Sequence, residues 1–296
     1  MNEDASKKIT FFSKSKIECP ICDKRFLRED LLTGGGRMIA GDLTRDLRRL
    51  YEPSRKFGEI FPLIYTISVC PQCLYAAFPQ DFAAPPEEAK KRLEADADHR
   101  RETLRPLFGE LDFSESRTLK EGAASYFLAM MCYDFFEKDS SPTIKQAVSS
   151  LRAAWVFVDL HKRLPDDNYD LLALNFYRKA RFFYAQAVEK EQNGAEGIGD
   201  MKNLGPDLDK NYGYDGVLYL SGLLEYLHGS TRNPQRRSAA LARAKTSVAK
   251  IFGMGKASKN KPTVLLERAK ELYTSIAKEL EKLGVASDGM DEVIID

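Results

Sequence analysis

At 296 residues the chain is long enough for about two domains, taking roughly 150 residues for each. Its 45 Lys and Arg nearly cancel its 44 Asp and Glu, which excludes a polyanion binder working through overall charge and leaves only local patches for nucleic acid or lipid. Met1 to Lys8 carries early acidic residues with no apolar core behind them, and no run approaches the ~18 apolar residues of a membrane span, so neither a signal peptide nor a span is expected. The expected setting is the reducing cytoplasm, where paired cysteines favour metal over disulfides.

Residues 1–85 read as a small β-containing head. Ile9 to Phe12 leads as a strand toward Cys19-Pro-Ile-Cys22, and the β-branched and aromatic run from Phe61 to Val69 leads as another into Cys70-Pro-Gln-Cys73. Between them, Gly34 to Gly36 mark a loop or hairpin tip, and Thr44 to Tyr51 a short charged turn or helix. Two residues between cysteines let a tight turn aim both sulfurs at one point, and proline inside each pair stiffens that turn. One pair would be weak evidence. Two of the same form point to a single zinc ion held by Cys19, Cys22, Cys70 and Cys73. A redox dithiol, the rival, needs one pair in a βαβ setting that does not follow here, and metal-free cysteines are the third reading. Four thiolates leave no open coordination position, so the zinc is expected to be structural and the head a zinc ribbon with a long insertion.

Both pairs, with Arg45, Asp46, Leu47 and Tyr51 after the first and Tyr65 shortly before the second, resemble the bacterial family catalogued as domain of unknown function 2225. The resemblance implies a paired-knuckle head with a helical tail similar to tetratricopeptide repeats; it implies a fold rather than an activity. In that family glycine usually follows the second pair, where this chain has Leu74. Glycine takes a left-handed turn at little cost and leucine does not, so a different turn is expected there.

The body follows. Pro85, Pro86, Glu87 and Glu88 signal a helix start, and residues 86–112 read as an exposed, charged linker helix with Leu93 and Leu104 as its few anchors. Residues 113–286 read as a helical domain. One helix spans Gly122 to Glu137, and apolar stripes at spacings of three and four predict five more: Ile144–Val158, Ala173–Ala187, Val217–Leu227, Leu241–Ile251 and Leu265–Leu280. Breakers separate them at Ser141-Pro142, at Pro165 to Asn168, in a Gly-rich stretch from Asn193 to Gly213, at Asn233-Pro234 and from Gly253 to Pro262. The fold class is therefore mainly α with a small β head, its helical hairpins resembling tetratricopeptide repeats. An irregular bundle is the alternative, because no second copy keeps the period of about 34 residues.

Little in the body points to catalysis. His99, His161 and His228 are scattered and have ordinary roles unless a partner is placed beside them. Cys132 reads as a small buried hydrophobe, Gly34 to Gly36 lack the lysine of a phosphate loop, and Asp166 and Asp167 fit capping of the next helix. One feature stands out. From Tyr226 to Leu266 there is no acidic residue, while Arg232, Arg236, Arg237, Arg243, Lys245, Lys250, Lys256, Lys259 and Lys261 are basic. Arg236, Arg243 and Lys250 fall on one helical stripe opposite the apolar face, an anion-binding patch or else a solvated face balanced by an acidic tail at 287–296. The expected function is a non-enzymatic adaptor with one structural zinc, binding a protein partner through its helical surface. The alternative is a nucleic-acid-binding accessory protein using the ribbon and the 232–261 segment.

Overall fold

A computed structural model describes residues 8–199, 201, 204–252 and 261–284. It is mainly α with a small β head, as expected, and it divides into two compact units: residues 1–202 with 206–209, and residues 203–205 with 210–296. The expected boundaries at 85 and 112 do not separate compact units. Lys256, Lys259 and the acidic tail lie outside the described residues. Among those described, no helix is long and apolar enough to cross a membrane.

Among the described residues, the head of the first unit contains four two-stranded antiparallel sheets. β1 (Thr10–Phe12) pairs with β4 (Glu29–Leu31), and β2 (Ile17–Glu18) with β3 (Arg25–Phe26). β5 (Ile39–Leu43) pairs with β6 (Arg49–Glu52), and β7 (Ser68–Val69) with β8 (Ala76–Ala77). The stretch from Thr44 to Tyr51 is thus a hairpin turn running into a strand, not a helix. Only the end of the Phe61–Val69 run is extended. Pro62 has a fixed φ and no N–H to give a ladder, and it opens a 3-10 turn over Pro62–Tyr65.

The expected linker is instead a pair of packed helices, α2 (Glu87–Ala95) and α3 (Ala97–Phe108), after the short α1 (Pro79–Ala83). Ala89, Leu93, Arg100, Leu104 and Phe108 are buried. Their spacing of four, with one step of seven, keeps them on one face across the break at Asp96. A highly charged composition concealed that face.

α4 (Leu119–Tyr133) starts from a capping box in which Thr118 and Glu121 satisfy each other's backbone donors. Gly122 lets it approach the 3-10 turn: a Cβ there would lie 2.4 Å from the Ile64 side chain. α5 (Pro142–Arg163) is buried almost all round, packed between α4 and α6 (Tyr169–Asn193). Asp166 and Asp167 do not cap α6; they lie in a 3-10 turn, and Asn168 precedes the helix without a side-chain cap.

The Gly-rich stretch is largely exposed but is anchored by a few buried residues. Glu196 is buried, accepts from the Thr143 N–H at 2.7 Å, and so caps α5; Lys190 reaches the same carboxylate at 2.8 Å. Further on, Asp207 accepts from the Arg49 N–H at 2.7 Å, and the Pro206 carbonyl accepts from Arg152.

The second unit holds α7 (Gly213–His228), α8 (Pro234–Ala249) and α9 (Thr263–Lys282). Their apolar stripes follow those read from the sequence except at Leu227, which is exposed at the end of α7: Val217, Leu220 and Leu224 pack with Leu241, Ala244 and Val248 and with Leu265, Ala269, Leu272 and Ile276. Asn233 caps α8 by accepting from the Arg236 N–H.

A candidate four-cysteine metal centre in the head

The two cysteine pairs are made alike. In the first, the Asp23 N–H donates to the Cys19 carbonyl at 2.9 Å, and the Cys19 N–H to the Lys24 carbonyl. In the second, Leu74 donates to Cys70 at 3.0 Å and Cys70 to Tyr75. Asp23 at φ 58° and Leu74 at φ 57° take the same left-handed conformation. The expectation of a different second turn is therefore wrong: contacts around Leu74 override its preference. The flanking strands repeat this match, with Ile17 opposite Phe26 and Ser68 opposite Ala77.

These turns bring the four sulfurs together, all within 4.8 Å of one another. Cys19 Sγ is 3.7 Å from Cys73 Sγ, and Cys22 Sγ is 3.6 Å from Cys70 Sγ. A tetrahedral ion with metal–sulfur bonds of ~2.3 Å would set its sulfurs about 3.8 Å apart. The residues present therefore fit a metal ion. Cys19, Cys70 and Cys73 are buried and Cys22 is half-buried.

The cluster's electrostatics favour a cation. The Cys70 thiol is pushed down to about 2 because its sulfur accepts hydrogen bonds from Cys19 and Cys73, and then from the backbone N–H groups of Cys73 and Gln72. Cys19 is pushed up to about 12, first by its hydrogen bond to Cys70 and also by burial. Cys73 is raised by its bonds to Cys19 and Cys70 and by burial. A divalent cation bound by these sulfurs would displace their thiol protons.

Around the sulfurs the packing is aromatic and continuous with the helices. Phe82 of α1 stacks on Tyr75 at 4.8 Å and meets Phe26 edge-on at 5.9 Å, tying one pair to the other. Cys132 of α4 is buried, as expected, and its sulfur accepts from the Ala76 N–H at 3.4 Å; burial pushes its thiol up to about 11. Cys19, Cys70 and Cys73 belong to one core that runs through residues of α2 to α6.

Arg100, Arg48 and Asp159 were not singled out from the sequence. Arg100 of α3 is fully buried and holds the Cys73 carbonyl. At the tip of the β5–β6 hairpin, Arg48 pairs with Asp159 of α5, while Asp46 accepts from Trp155. Asp46 belongs to the family-like motif, so the motif carried that signal. Arg100 carried none beyond its place in the apolar spacing of α2 and α3.

The remaining candidates stay apart. His99 pairs with Asp96 at the surface, and His161 lies 4.0 Å from Asp170. Arg236, Arg243 and Lys250 are exposed along α8, opposite Leu241, Ala244 and Val248. Arg237 is not part of any positive surface: it is buried, pairs with Glu279 at 2.8 Å, and donates to the Glu225 and Tyr226 carbonyls. Lys261 pairs with Asp215, and Lys245 lies over the Tyr273 ring.

The fold and the sulfur cluster define a mainly α protein whose β head brings together four cysteines that could hold a metal ion. Over residues 12–276 the chain matches the family described as "Uncharacterized protein conserved in bacteria (DUF2225)", and it belongs to that family. A protein of Borreliella burgdorferi, named "Uncharacterized protein", is 49% identical over 278 residues, covering 94% of this chain and 99% of that one. No solved structure matches the chain.

Proposed function

We propose that the chain is a non-enzymatic adaptor that holds one structural zinc ion and binds a protein partner through its helical surface. The observation that carries the metal half is the set of four converging sulfurs, which would fill a tetrahedral shell and leave no position for substrate. Tetrahedral sulfur sets take zinc or iron; a redox-silent ion suits a centre built into a structural core. Cys19, Cys22, Cys70 and Cys73 would hold it, and it would supply cross-linking between the two halves of the head.

The partner half rests on α6. Leu171 and Phe182 are 55% and 54% exposed and share, with Leu174, the face opposite buried Ala173, Ala180 and Tyr184. An apolar strip on the outer face of a hairpin-like stack of α4, α5 and α6 is the kind of surface that helical-repeat proteins offer to partners. Affinity capture from the native cell tests it. Intact chain should retain a partner that Leu171→Glu with Phe182→Glu loses at unchanged metal content; equal capture by both would overturn it. Metal analysis of the reduced protein should give one zinc per chain, and iron or no metal would overturn that half.

The exposed stripe of Arg236, Arg243 and Lys250 favours a second reading, a nucleic-acid-binding accessory protein. The salt dependence of binding separates the two, since phosphate contacts make affinity fall steeply as salt rises.

A further inference from the structure

The two cysteine turns share a backbone conformation but not the means of holding it. Asp23 follows the first pair, is exposed, and belongs to the residue types whose short polar side chain tolerates the left-handed region. Leu74 follows the second, and a leucine there is strained. Such a conformation persists only where its surroundings impose it. The surroundings are two successive arginines of α3. Arg100 donates to the Cys73 carbonyl through Nη2 at 2.8 Å and Nε at 3.3 Å. Its other bonds, to the Leu93 carbonyl at 2.8 Å and Asp96 at 3.1 Å, fix the guanidinium from α2 and from the break between the helices. Arg101 donates to the Gln72 carbonyl at 2.9 Å. The Cys73 carbonyl belongs to the peptide that joins Cys73 to Leu74, so holding it fixes the plane on which the Leu74 φ turns. Among the described residues, no side chain donates to the Ile21 or Cys22 carbonyl, the equivalents in the first turn.

We infer that Arg100 is a positioning residue for the metal centre: it clamps the Cys73–Leu74 peptide, imposes the left-handed turn at Leu74, and so aims the Cys73 sulfur at the ion. The inference rests on the metal-centre reading above. It makes α3 part of the site, and it makes the second cysteine turn, unlike the first, dependent on the helices. Replacing Leu74 by glycine removes the strain, so a chain with that change no longer needs the clamp.

The test is a double-mutant cycle on the full chain, read as zinc affinity by competition with a chromophoric chelator. Arg100→Met should weaken zinc binding by about ten- to a hundred-fold, the range seen when a residue that orients a metal ligand is lost. Arg101→Met, whose residue is exposed, should weaken it less. Leu74→Gly alone should bind as tightly as the parent or tighter, and Leu74→Gly in the Arg100→Met background should recover most of the loss. Thermal stability is followed in parallel. Arg100 is fully buried, so Arg100→Met will also lower the melting temperature, and a role in packing alone predicts that Leu74→Gly rescues nothing. Zinc affinity unchanged in Arg100→Met, or a loss that Leu74→Gly leaves intact, overturns the inference. If Arg100→Met does not fold, Arg100→Lys, with one ammonium in place of the fork, carries the same cycle. A parent chain that binds no zinc would instead overturn the metal reading itself.

Discussion

The two units are built on different terms. In the second, α7, α8 and α9 meet through apolar stripes at helical spacing, and among the described residues Arg237 is its one buried polar side chain. In the first, buried polar groups are many: Glu29, Arg100, Lys145, Arg152, Asp159, Glu196 and Asp207 all lie inside. Each has a partner far away in sequence, as Lys145 has Asp81 at 2.9 Å and one oxygen of Glu29 has the Arg117 N–H at 2.8 Å. A unit held by stripes tolerates local change where volume is kept. A unit held by buried polar pairs loses the desolvation cost of whichever partner is left behind. The first unit should therefore be the more specific and the more brittle.

The largest test of that contrast is removal of the metal ion proposed for the four cysteines. Seen from sequence, the loss would unfold only the head. But Cys19, Cys70 and Cys73 share a core with α2 to α6, so the damage should run through the whole first unit. Structural zinc sites have apparent binding free energies of about 10–16 kcal/mol, as large as the ~5–15 kcal/mol that holds a domain together. Trp155, the chain's one tryptophan, is 1% exposed on α5 and reports this unit. Chelation, or Cys70→Ser, should shift its emission to the red and remove a cooperative part of the helical circular dichroism, leaving the part from α7 to α9. Emission that stays blue in metal-free protein would show that the helices do not depend on the head.

The next effect is smaller and does not touch the metal. Glu196→Ala removes the carboxylate that accepts from the Thr143 N–H and hydroxyl and from Lys190. It leaves the first turn of α5 uncapped and buried, which should cost about 2–3 kcal/mol in urea denaturation followed at Trp155. Zinc content should be unchanged. A cost below ~0.5 kcal/mol would mean that water replaces the cap and that this part of the Gly-rich stretch is not a structural element.

This difference between units also decides what could be read from the sequence. The helices of the second unit were legible from their stripes, because Leu265, Ala269, Leu272 and Ile276 each face the same core, although Leu227, read as part of the α7 stripe, is exposed. α4, α5 and α6 were legible as helices, but not the near-complete burial of α5, since periodicity finds one face and this helix has neighbours on nearly all sides. The convergence of the four cysteines was legible from their spacing, whereas Arg100 was hidden in a charged segment whose apolar face is only one residue wide. Glu196 and Asp207 sit in a stretch whose glycines read as exposed loop. What they cap lies more than fifty residues away, and no local pattern records that.

In the second unit a single methyl tests the stripe packing. Gly222 of α7 faces α8, and a Cβ there would lie 2.6 Å from a Val248 methyl. Gly222→Ala should cost about 1–3 kcal/mol, the usual penalty of overpacking. The loss should appear in helical circular dichroism but not in Trp155 emission or zinc content, because the stripe is confined to its own unit. A fall in Trp155-monitored stability of the same size would erase the distinction drawn between the units.

The smallest effect on stability is expected on the outer face of α8. Arg236, Arg243 and Lys250 are exposed, and no ion pair engages them among the described residues, unlike Arg237 and Lys261. Arg236→Glu with Arg243→Glu should therefore change unfolding free energy by no more than about ±0.5 kcal/mol. Binding should respond far more. If the stripe engages an anion, heparin or nucleic-acid retention should fall in the charge-reversed chain, and in the parent it should fall as salt rises, since exposed charges are screened beyond ~8 Å at physiological ionic strength. Arg237→Gln is the control with the opposite signature. It should leave retention alone and cost more stability, because it deprives the Glu225 and Tyr226 carbonyls and Glu279 of their shared donor. Equal retention by parent and charge-reversed chain would mark the stripe as a solvated face and remove the ground for the nucleic-acid reading.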